Sequence, residues 1–231
     1  MRPDLVLILP DLEPLRHVET PYGAAPVGEL DGLAVLVRSE GVEGRALIWA
    51  AKEMGARRVL AGEAVQPVSP LLEEGDLVLP ADLIDLTKLR PFTFFVGKGY
   101  GFIKLNPPFC PDLMTALLAE ARKTRPRSFR GATYVGTEGP REATPAELRM
   151  YRQWGGDVVG SGLVPEAYLA RELELHYAAL TVAGEATAPL HQALLAAARR
   201  PDLGSLAPCG CTETMRFMKE QGVIGEDWKE W

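Results

Sequence analysis

The sequence predicts one α/β domain in which a mixed sheet is flanked by helices. Its 231 residues suit a single domain with a sizeable core. Segments typical of strands and of helices alternate along the chain, and no repeat or linker composition interrupts them. The first apolar segment, residues 5–9, is unbroken, as in parallel strands that are buried on both faces. We therefore expect residues 1–231 to form one domain.

The first half of the chain is expected to be rich in strands. Asp31-Gly32 separates two apolar segments, which predicts a hairpin with a two-residue turn. Ala46, Trp49, Ala50 and Met54 follow a helical spacing, and Gly55 provides a stop. In order, we expect a hairpin of residues 27–30 and 33–37, a helix at 42–54, a strand at 57–61, an irregular loop at 62–75 and a strand at 76–80.

The second half alternates helices and strands more regularly. Thr144, Pro145 and Glu147 form a capping-box pattern, which predicts a helix that begins at Pro145 and stops at Gly155-Gly156. The other expected elements are helices at 112–123, 164–173 and 189–199, strands at 132–135, 157–159 and 176–182, and a helical tail at 212–221.

Composition excludes several classes of partner. The net charge is −6 and the isoelectric point about 5.2, and the basic residues are scattered, which argues against nucleic-acid binding. No apolar run approaches the ~20 residues of a membrane span. The first apolar segment is too short for a signal peptide, since Pro10-Asp11 interrupts it. We expect a cytoplasmic protein without a membrane partner.

The cysteines and histidines do not form a familiar site pattern. Cys110 stands alone, and Cys209 with Cys211 forms a C-x-C pair; neither arrangement has the spacing of zinc ligands, so no metal is expected. Two ordinary thiols are the simpler interpretation of the pair, and a disulfide or redox pair is the alternative. His176 is expected to pack at a strand start, and no histidine is expected to have a Ser or Cys partner for a triad.

Several sequence segments are more distinctive than the general α/β pattern. They are residues 18–23 (VETPYG), 45–56 (RALIWAAKEMGA), 75–80 (GDLVLP) with 83–88 (LIDLTK), 108–111 (PFCP), 136–141 (GTEGPR) with 144–147 (TPAE), and 164–166 (VPE) with 169–172 (LARE). Together and in this order they resemble the trimeric branch of the purine nucleoside phosphorylase and methylthioadenosine phosphorylase family. The C-x-C pair also resembles one in thermophilic methylthioadenosine phosphorylases.

The resemblance implies a fold and a reaction. The fold is a three-layer α/β/α sandwich around a mixed, partly barrel-like sheet, in a homo-oligomer that is a trimer or a dimer of trimers. The reaction is phosphorolysis of a purine nucleoside to base and sugar-1-phosphate, a pentosyl transfer of purine salvage. Phosphate is the co-substrate, and no other cofactor is expected.

The resemblance also marks the positions where the site should lie. The phosphate positions hold Arg38, Ser39 and Glu63, and the turn for ribose and phosphate includes Ser161 and Gly162. The purine positions hold Glu142 and Glu185, and Glu185 is the candidate acid for the departing base. Arg38 is the family's residue; the others are substitutions. A glutamate beside phosphate would repel it, so phosphorolysis is predicted to be weak or lost.

Each of these residues has a simpler interpretation as well. Arg38 could hold an anion or form a surface ion pair, while Glu63 and Glu142 could be solvated or paired with Arg. Ser161 could belong to a flexible turn, and Glu185 could face water at a strand end.

Two further functions stay open beside the phosphorylase. One is a non-catalytic family member that acts as a structural or regulatory subunit, or as a binder of another metabolite. The other is a nucleosidase that uses water, which also needs an acid for the departing purine.

Overall fold

The computed structural model describes residues 4–97, 101–205, 209–225 and 228. The strands are Leu5–Pro10 (β1), Arg16–Val18 (β2), Ala25–Leu30 (β3), Leu33–Arg38 (β4), Arg58–Pro67 (β5), Leu77–Asp85 (β6), Ser128–Gly136 (β7), Val158–Gly160 (β8) and His176–Ala183 (β9). The helices are Gly44–Glu53 (α1), Pro111–Thr124 (α2), Pro145–Gln153 (α3), Leu163–Glu172 (α4), Ala188–Ala198 (α5) and Arg216–Glu220 (α6). Short 3-10 turns cover Pro201–Ser205 and Cys211–Glu213.

The strands form one mixed sheet that is partly closed. Its order is β2-β3-β4-β1-β5-β8-β7-β6-β9, and a further pairing of β5 with β9 closes five strands into a barrel. The helix pairs α1 with α4 and α2 with α5 contact each other and cover the sheet. The expected sandwich around a partly barrel-like sheet is confirmed.

Strand β5 joins the open part of the sheet to the barrel. Its first residues pair with β1, and Gln66 and Pro67 pair with β8, while β9 runs along its other edge. The prediction of an irregular loop from residue 62 was therefore wrong, because the strand continues to Pro67. Hydrogen bonds from two neighbouring strands outweigh the weak strand preference of Gly, Glu and Pro in this segment.

Two turns predicted from local chemistry are confirmed. Asp31 and Gly32 both have positive φ, 52° and 81°, and join β3 to β4 as a two-residue hairpin requires. At the start of α3 the Thr144 hydroxyl accepts from the Glu147 amide at 3.2 Å, and the Glu147 carboxylate accepts from the Thr144 amide at 2.7 Å. The capping box thus satisfies two donors that a helix start leaves without partners.

Other predictions were confirmed in part. Strand β6 runs to Asp85, beyond the predicted end at residue 80, and the predicted helical tail is divided between a 3-10 turn and α6. The single domain of residues 1–231 stays a prediction, since residues 1–3, 98–100, 206–208, 226–227 and 229–231 lie outside the described part. Within the described ranges, no helix has the length and apolar character needed to cross a membrane.

Candidate functional site

A crevice runs along the ends of the central strands. It consists of two adjoining cavities of about 700 Å³ each, which share Gly139, Pro140 and Ser161. The first lobe, as we call the cavity beyond β1 and β4, is lined by Arg38, Ser39, Gly162 and Glu166, among others. The second lobe, beyond β5 and β9, is lined by Gln66, Thr137, Glu142 and Glu185, among others. Crevices at the carboxyl ends of parallel strands commonly bind small molecules.

Arg38 is the cation at the inner wall of the first lobe. It is the last residue of β4, and its side chain is only 16% exposed. Its guanidinium donates to both carboxylate oxygens of Glu166, at 2.8 and 2.9 Å, and to the Gly62 carbonyl at 3.1 Å. The surface ion pair considered from the sequence is therefore wrong, because the pair is largely buried. Two parallel bonds of this kind are strong and directional.

Glu63 lies beneath the same guanidinium. It is 6% exposed, and its carboxylate oxygen is 3.9 Å from a nitrogen of Arg38. It accepts hydrogen bonds from the Tyr134 hydroxyl at 2.5 Å and from the Gly162 amide at 2.7 Å. A solvated Glu63 is therefore excluded, since its carboxylate is buried and fully engaged.

The carboxylates and the arginine alter one another's protonation. Burial opposes charge on Arg38, but attraction to Glu166 and Glu63 outweighs it and raises the pKa of Arg38 above its ordinary value. Burial also raises the pKa of Glu63, although Arg38 and the hydrogen bond from Tyr134 work against this change. Tyr177 completes the network by donating to Glu166 at 2.8 Å. Arg38 therefore stays charged, but two glutamates already compensate its charge.

Gly162 must be small because this network fills the space beside it. A β-carbon at residue 162 would lie 2.2 Å from a Glu63 oxygen and 2.6 Å from the central carbon of the Arg38 guanidinium. Its φ is −93° and its ψ −38°, so the backbone itself would accept other residues. Contact, rather than flexibility, therefore explains glycine at this position.

The remaining predicted residues lie at more exposed parts of the crevice. Ser39 is exposed beside the first lobe, and Ser161 is half-buried where the lobes meet. Glu142 and Glu185 are both exposed and both line the second lobe. The positions marked for phosphate and for purine are thus brought to separate lobes, with Ser161 at their junction.

Three residues that matter here were missed from the sequence. Glu166, Tyr134 and Tyr177 are buried; Glu166 binds Arg38, Tyr134 binds Glu63, and Tyr177 binds Glu166. Glu166 is 128 residues from Arg38 in the chain. The sequence does offer one signal for Glu166: it is a glutamate among mainly apolar residues at a helix start. Because an unpaired carboxylate is rarely buried, this position predicts a cationic partner.

A second cluster of chemically active side chains lies outside the crevice. Nδ1 of His176 is 3.2 Å from the Cys209 sulfur and 3.5 Å from the Cys110 sulfur. His176 begins β9 as predicted, and it contacts two cysteines that were not expected near it, because folding joins residues far apart in sequence. All three cysteines are free thiols.

Comparison with known proteins places the chain in a family. The sequence model of the phosphorylase superfamily matches residues 33–200. A 6-oxopurine nucleoside phosphorylase of Pyrococcus furiosus is 38% identical over 184 residues, which are 71% of this chain and 69% of that protein. The S-methyl-5'-thioadenosine phosphorylase of the same organism is 36% identical over 217 residues, 88% of this chain and 78% of that protein.

A probable S-methyl-5'-thioinosine phosphorylase of Methanopyrus kandleri is 47% identical over 137 residues. That match covers 59% of this chain and 53% of the relative, about half of its length. Among solved structures, a methylthioadenosine phosphorylase from an antarctic soil metagenomic library superposes with a TM-score of 0.78 at 26% identity, over 91% of this chain and 90% of that one. A methylthioadenosine phosphorylase of Schistosoma mansoni in complex with adenine shares the fold, with a TM-score of 0.79 at 24% identity over 94% of this chain and 97% of that one.

The chain belongs to the phosphorylase superfamily, and within it to the family of purine nucleoside and methylthioadenosine phosphorylases.

Proposed function

We propose that this protein cleaves a purine nucleoside by phosphorolysis, with phosphate in the first lobe and the purine in the second. The observation that carries the proposal is the placement of the family-site positions. Arg38, Ser39 and Gly162 line one lobe, Glu142 and Glu185 line the other, and Ser161 belongs to both. A nucleoside that spans the junction would present its anomeric carbon between phosphate and base.

The proposed reaction needs no covalent bond between the protein and the substrate. A phosphate oxygen bonds to the anomeric carbon as the bond to the purine nitrogen breaks, and the purine leaves with the bonding electrons and takes up a proton. Arg38 would hold the phosphate dianion by charge-assisted hydrogen bonds, and Ser161 would hydrogen-bond the sugar. Glu185, exposed at the end of β9, would contact the departing purine.

The proposed turnover is slow because Arg38 is already paired with two glutamates. Phosphate must compete with Glu166 and Glu63, whose carboxylates face the same guanidinium. Asp11, the residue after β1, adds another carboxylate to the lining of the lobe. Each of these charges weakens the binding of a phosphate dianion.

The biological setting belongs to the same proposal. We also propose that the protein acts in purine salvage, forms a homo-oligomer that is a trimer or a dimer of trimers, and is located in the cytoplasm. Light scattering coupled to gel filtration would measure the mass of the particle in solution. A mass equal to that of one chain would exclude a trimer and a dimer of trimers.

The decisive experiment is a substrate panel. The purified protein is incubated with inosine, guanosine, adenosine or methylthioadenosine, with and without phosphate, and free base is separated by chromatography. We expect slow base release that needs phosphate, and sugar-1-phosphate in equal amount. Release of base without phosphate would instead indicate a nucleosidase. If no more base is released than in a boiled sample, the protein is a non-catalytic member of the family.

Two matched variants refine the experiment. Glu185→Gln removes the carboxylate proposed to contact purine and should lower kcat by about tenfold or more. Glu53→Gln, at an exposed residue at the end of α1 that does not line the crevice, should leave kcat unchanged. If both variants have the same kcat, Glu185 has no role in the reaction.

A further inference from the structure

The side chains of Cys110, His176, Cys209 and Cys211 meet in one place. Their sulfur and nitrogen atoms all lie within 4.8 Å of one another. They come from separate parts of the fold, since Cys110 precedes α2, His176 begins β9, and the other two cysteines flank Gly210 in the C-terminal segment. Three thiols and one imidazole are the ligand set of many structural zinc sites.

The distances fit a tetrahedral metal ion. Zinc bonds of about 2.3 Å to sulfur and about 2.0–2.1 Å to nitrogen require about 3.8 Å between two sulfurs and about 3.6 Å between sulfur and nitrogen. The separation of the Cys110 and Cys209 sulfurs is 3.7 Å. His176 Nδ1 is 3.5 Å from the first and 3.2 Å from the second. These three distances match three edges of such a tetrahedron, one of them slightly short, and the Cys211 sulfur lies within 4.8 Å of the other three ligand atoms.

Two buried cations lie near the cluster. Cys110 and Cys211 are fully buried and His176 is 7% exposed, so solvent does not compete for them. Arg58 and Arg171, each 5% exposed, are close enough to interact electrostatically with Cys110 and Cys211, respectively. Zinc with three thiolates carries one net negative charge, which buried guanidinium groups would compensate.

An entry route is also present. Cys209 and Arg171 line a cavity of about 570 Å³ on the protein surface, and Cys209 is the partly exposed member of the cluster. A metal ion could reach the other three ligands through this cavity without unfolding of the core.

We propose that Cys110, His176, Cys209 and Cys211 bind one Zn²⁺ in a structural, tetrahedral site. The thiol protons leave to solvent as the three zinc–sulfur bonds form, and no electron transfer is involved. Four protein ligands leave no open position, so the ion does not take part in catalysis. It fastens the C-terminal segment to β9 and to the start of α2.

Sequence spacing alone does not indicate this site. Along the chain, a lone cysteine and a C-x-C pair do not match a zinc motif. The fold supplies the missing ligands, because Cys110 is 99 residues from Cys209 and 66 residues from His176.

Metal content tests the proposal without any reference to activity. The full chain is produced with zinc in the medium, passed through a mild chelator and measured by plasma mass spectrometry. We expect about one zinc per chain, and at least about fivefold less for Cys209→Ser. His17→Asn, which removes an exposed histidine, should retain the zinc of the unaltered chain.

A second measurement covers the case in which a variant fails to fold. The unaltered chain, stripped of metal under reducing conditions, is titrated with Co²⁺ and its visible absorption followed. Tetrahedral thiolate coordination should give intense d–d bands that saturate at one equivalent and disappear when zinc is added. A chain that holds no zinc and gives no such bands, or whose intact mass shows a Cys209–Cys211 disulfide after isolation with zinc, would overturn the proposal.

Discussion

Arg38 and Glu166 face each other through two nearly equal hydrogen bonds, of 2.8 and 2.9 Å, at the wall of the crevice. The pair occupies the donors that a phosphate ion would need. Replacing Arg38 would leave two buried carboxylates without their cation, and replacing Glu166 would leave Arg38 with only the more distant Glu63, at 3.9 Å. Breaking a buried pair commonly costs about 3–5 kcal/mol of stability. The most informative changes in the site are therefore those that leave this pair intact.

Glu63→Gln is such a change. It keeps the size of the side chain and removes a negative charge 3.9 Å from Arg38. We expect phosphate to bind about tenfold more tightly, equal to about 1.4 kcal/mol. Because burial raises the pKa of Glu63, the gain should increase with pH as the unaltered glutamate ionises. The phosphate dependence of base release measures it, or the thermal shift at saturating phosphate if turnover is too slow.

The matched control for that change is Glu142→Gln. Glu142 is exposed and lines the second lobe, so its charge lies outside the phosphate position. Its substitution should leave phosphate affinity within about twofold. An equal gain in both variants would mean that net charge, and not contact with Arg38, controls phosphate binding.

Glu172 predicts a pH dependence of stability. Burial raises its pKa to about 7, although the Thr93 hydroxyl and the Phe94 amide donate to it at 2.6 and 2.7 Å. Between about pH 4.3, where an unfolded glutamate titrates, and pH 7, the folded state holds more protons than the unfolded state. Stability should therefore fall by about 3 kcal/mol as pH rises through this window.

Glu172→Gln should remove that loss. Urea unfolding at pH 8 should show the variant more stable than the unaltered chain, and the difference should vanish near pH 4, below the range in which an unfolded glutamate titrates. Glu53→Gln, at an exposed site, is the control and should follow the unaltered chain at both values. Parallel stability profiles for all three proteins would refute the assignment to Glu172.

Gly162→Ala should destabilise the fold through contact alone. The added carbon would meet Glu63 and Arg38 at 2.2 and 2.6 Å, and hydrogen bonds hold both side chains in place. Overpacking of this kind costs about 1–3 kcal/mol. Gly139→Ala is the control in the same crevice, since its nearest neighbour would be the Ser161 hydroxyl at 3.4 Å. Similar urea midpoints for the two variants would contradict the prediction.

Thr144→Ala should weaken the start of α3. The change removes the oxygen that accepts the Glu147 amide, at a cost of about 1 kcal/mol. Thr144→Ser keeps that oxygen and should recover most of the loss. Urea unfolding of the three proteins measures both effects, and a serine variant as unstable as the alanine variant would show that the methyl group matters more than the cap.

Local chemistry was enough to predict part of the fold. The Asp31-Gly32 turn and the Thr144 cap depend on residues adjacent in sequence, and both are confirmed. The extension of β5 beyond Gly62 could not be predicted in this way, because β8 and β9 supply its partners. The closed barrel was available only from the family resemblance, since no local pattern specifies which strands meet.

The candidate site, like the fold, could be predicted only in part from the sequence. Resemblance marked Arg38, Glu63 and Gly162 as positions of interest, and the structure brings them into contact. Their interactions depend on Glu166 and Tyr134, which are distant in sequence and lie on other elements. The histidine and cysteine cluster was missed for the same physical reason.

The contact between Glu63 and Gly162 also couples two positions that are 99 residues apart in the chain. A β-carbon at residue 162 would meet the Glu63 carboxylate and the Arg38 guanidinium, so the space available at one position depends on the side chain at the other. Substitutions at residues 63 and 162 should therefore be non-additive, as is usual for residues in direct contact. A residue larger than glycine at position 162 should be tolerated only together with a shorter side chain at position 63, so redesign of this wall of the crevice has to change both positions at once.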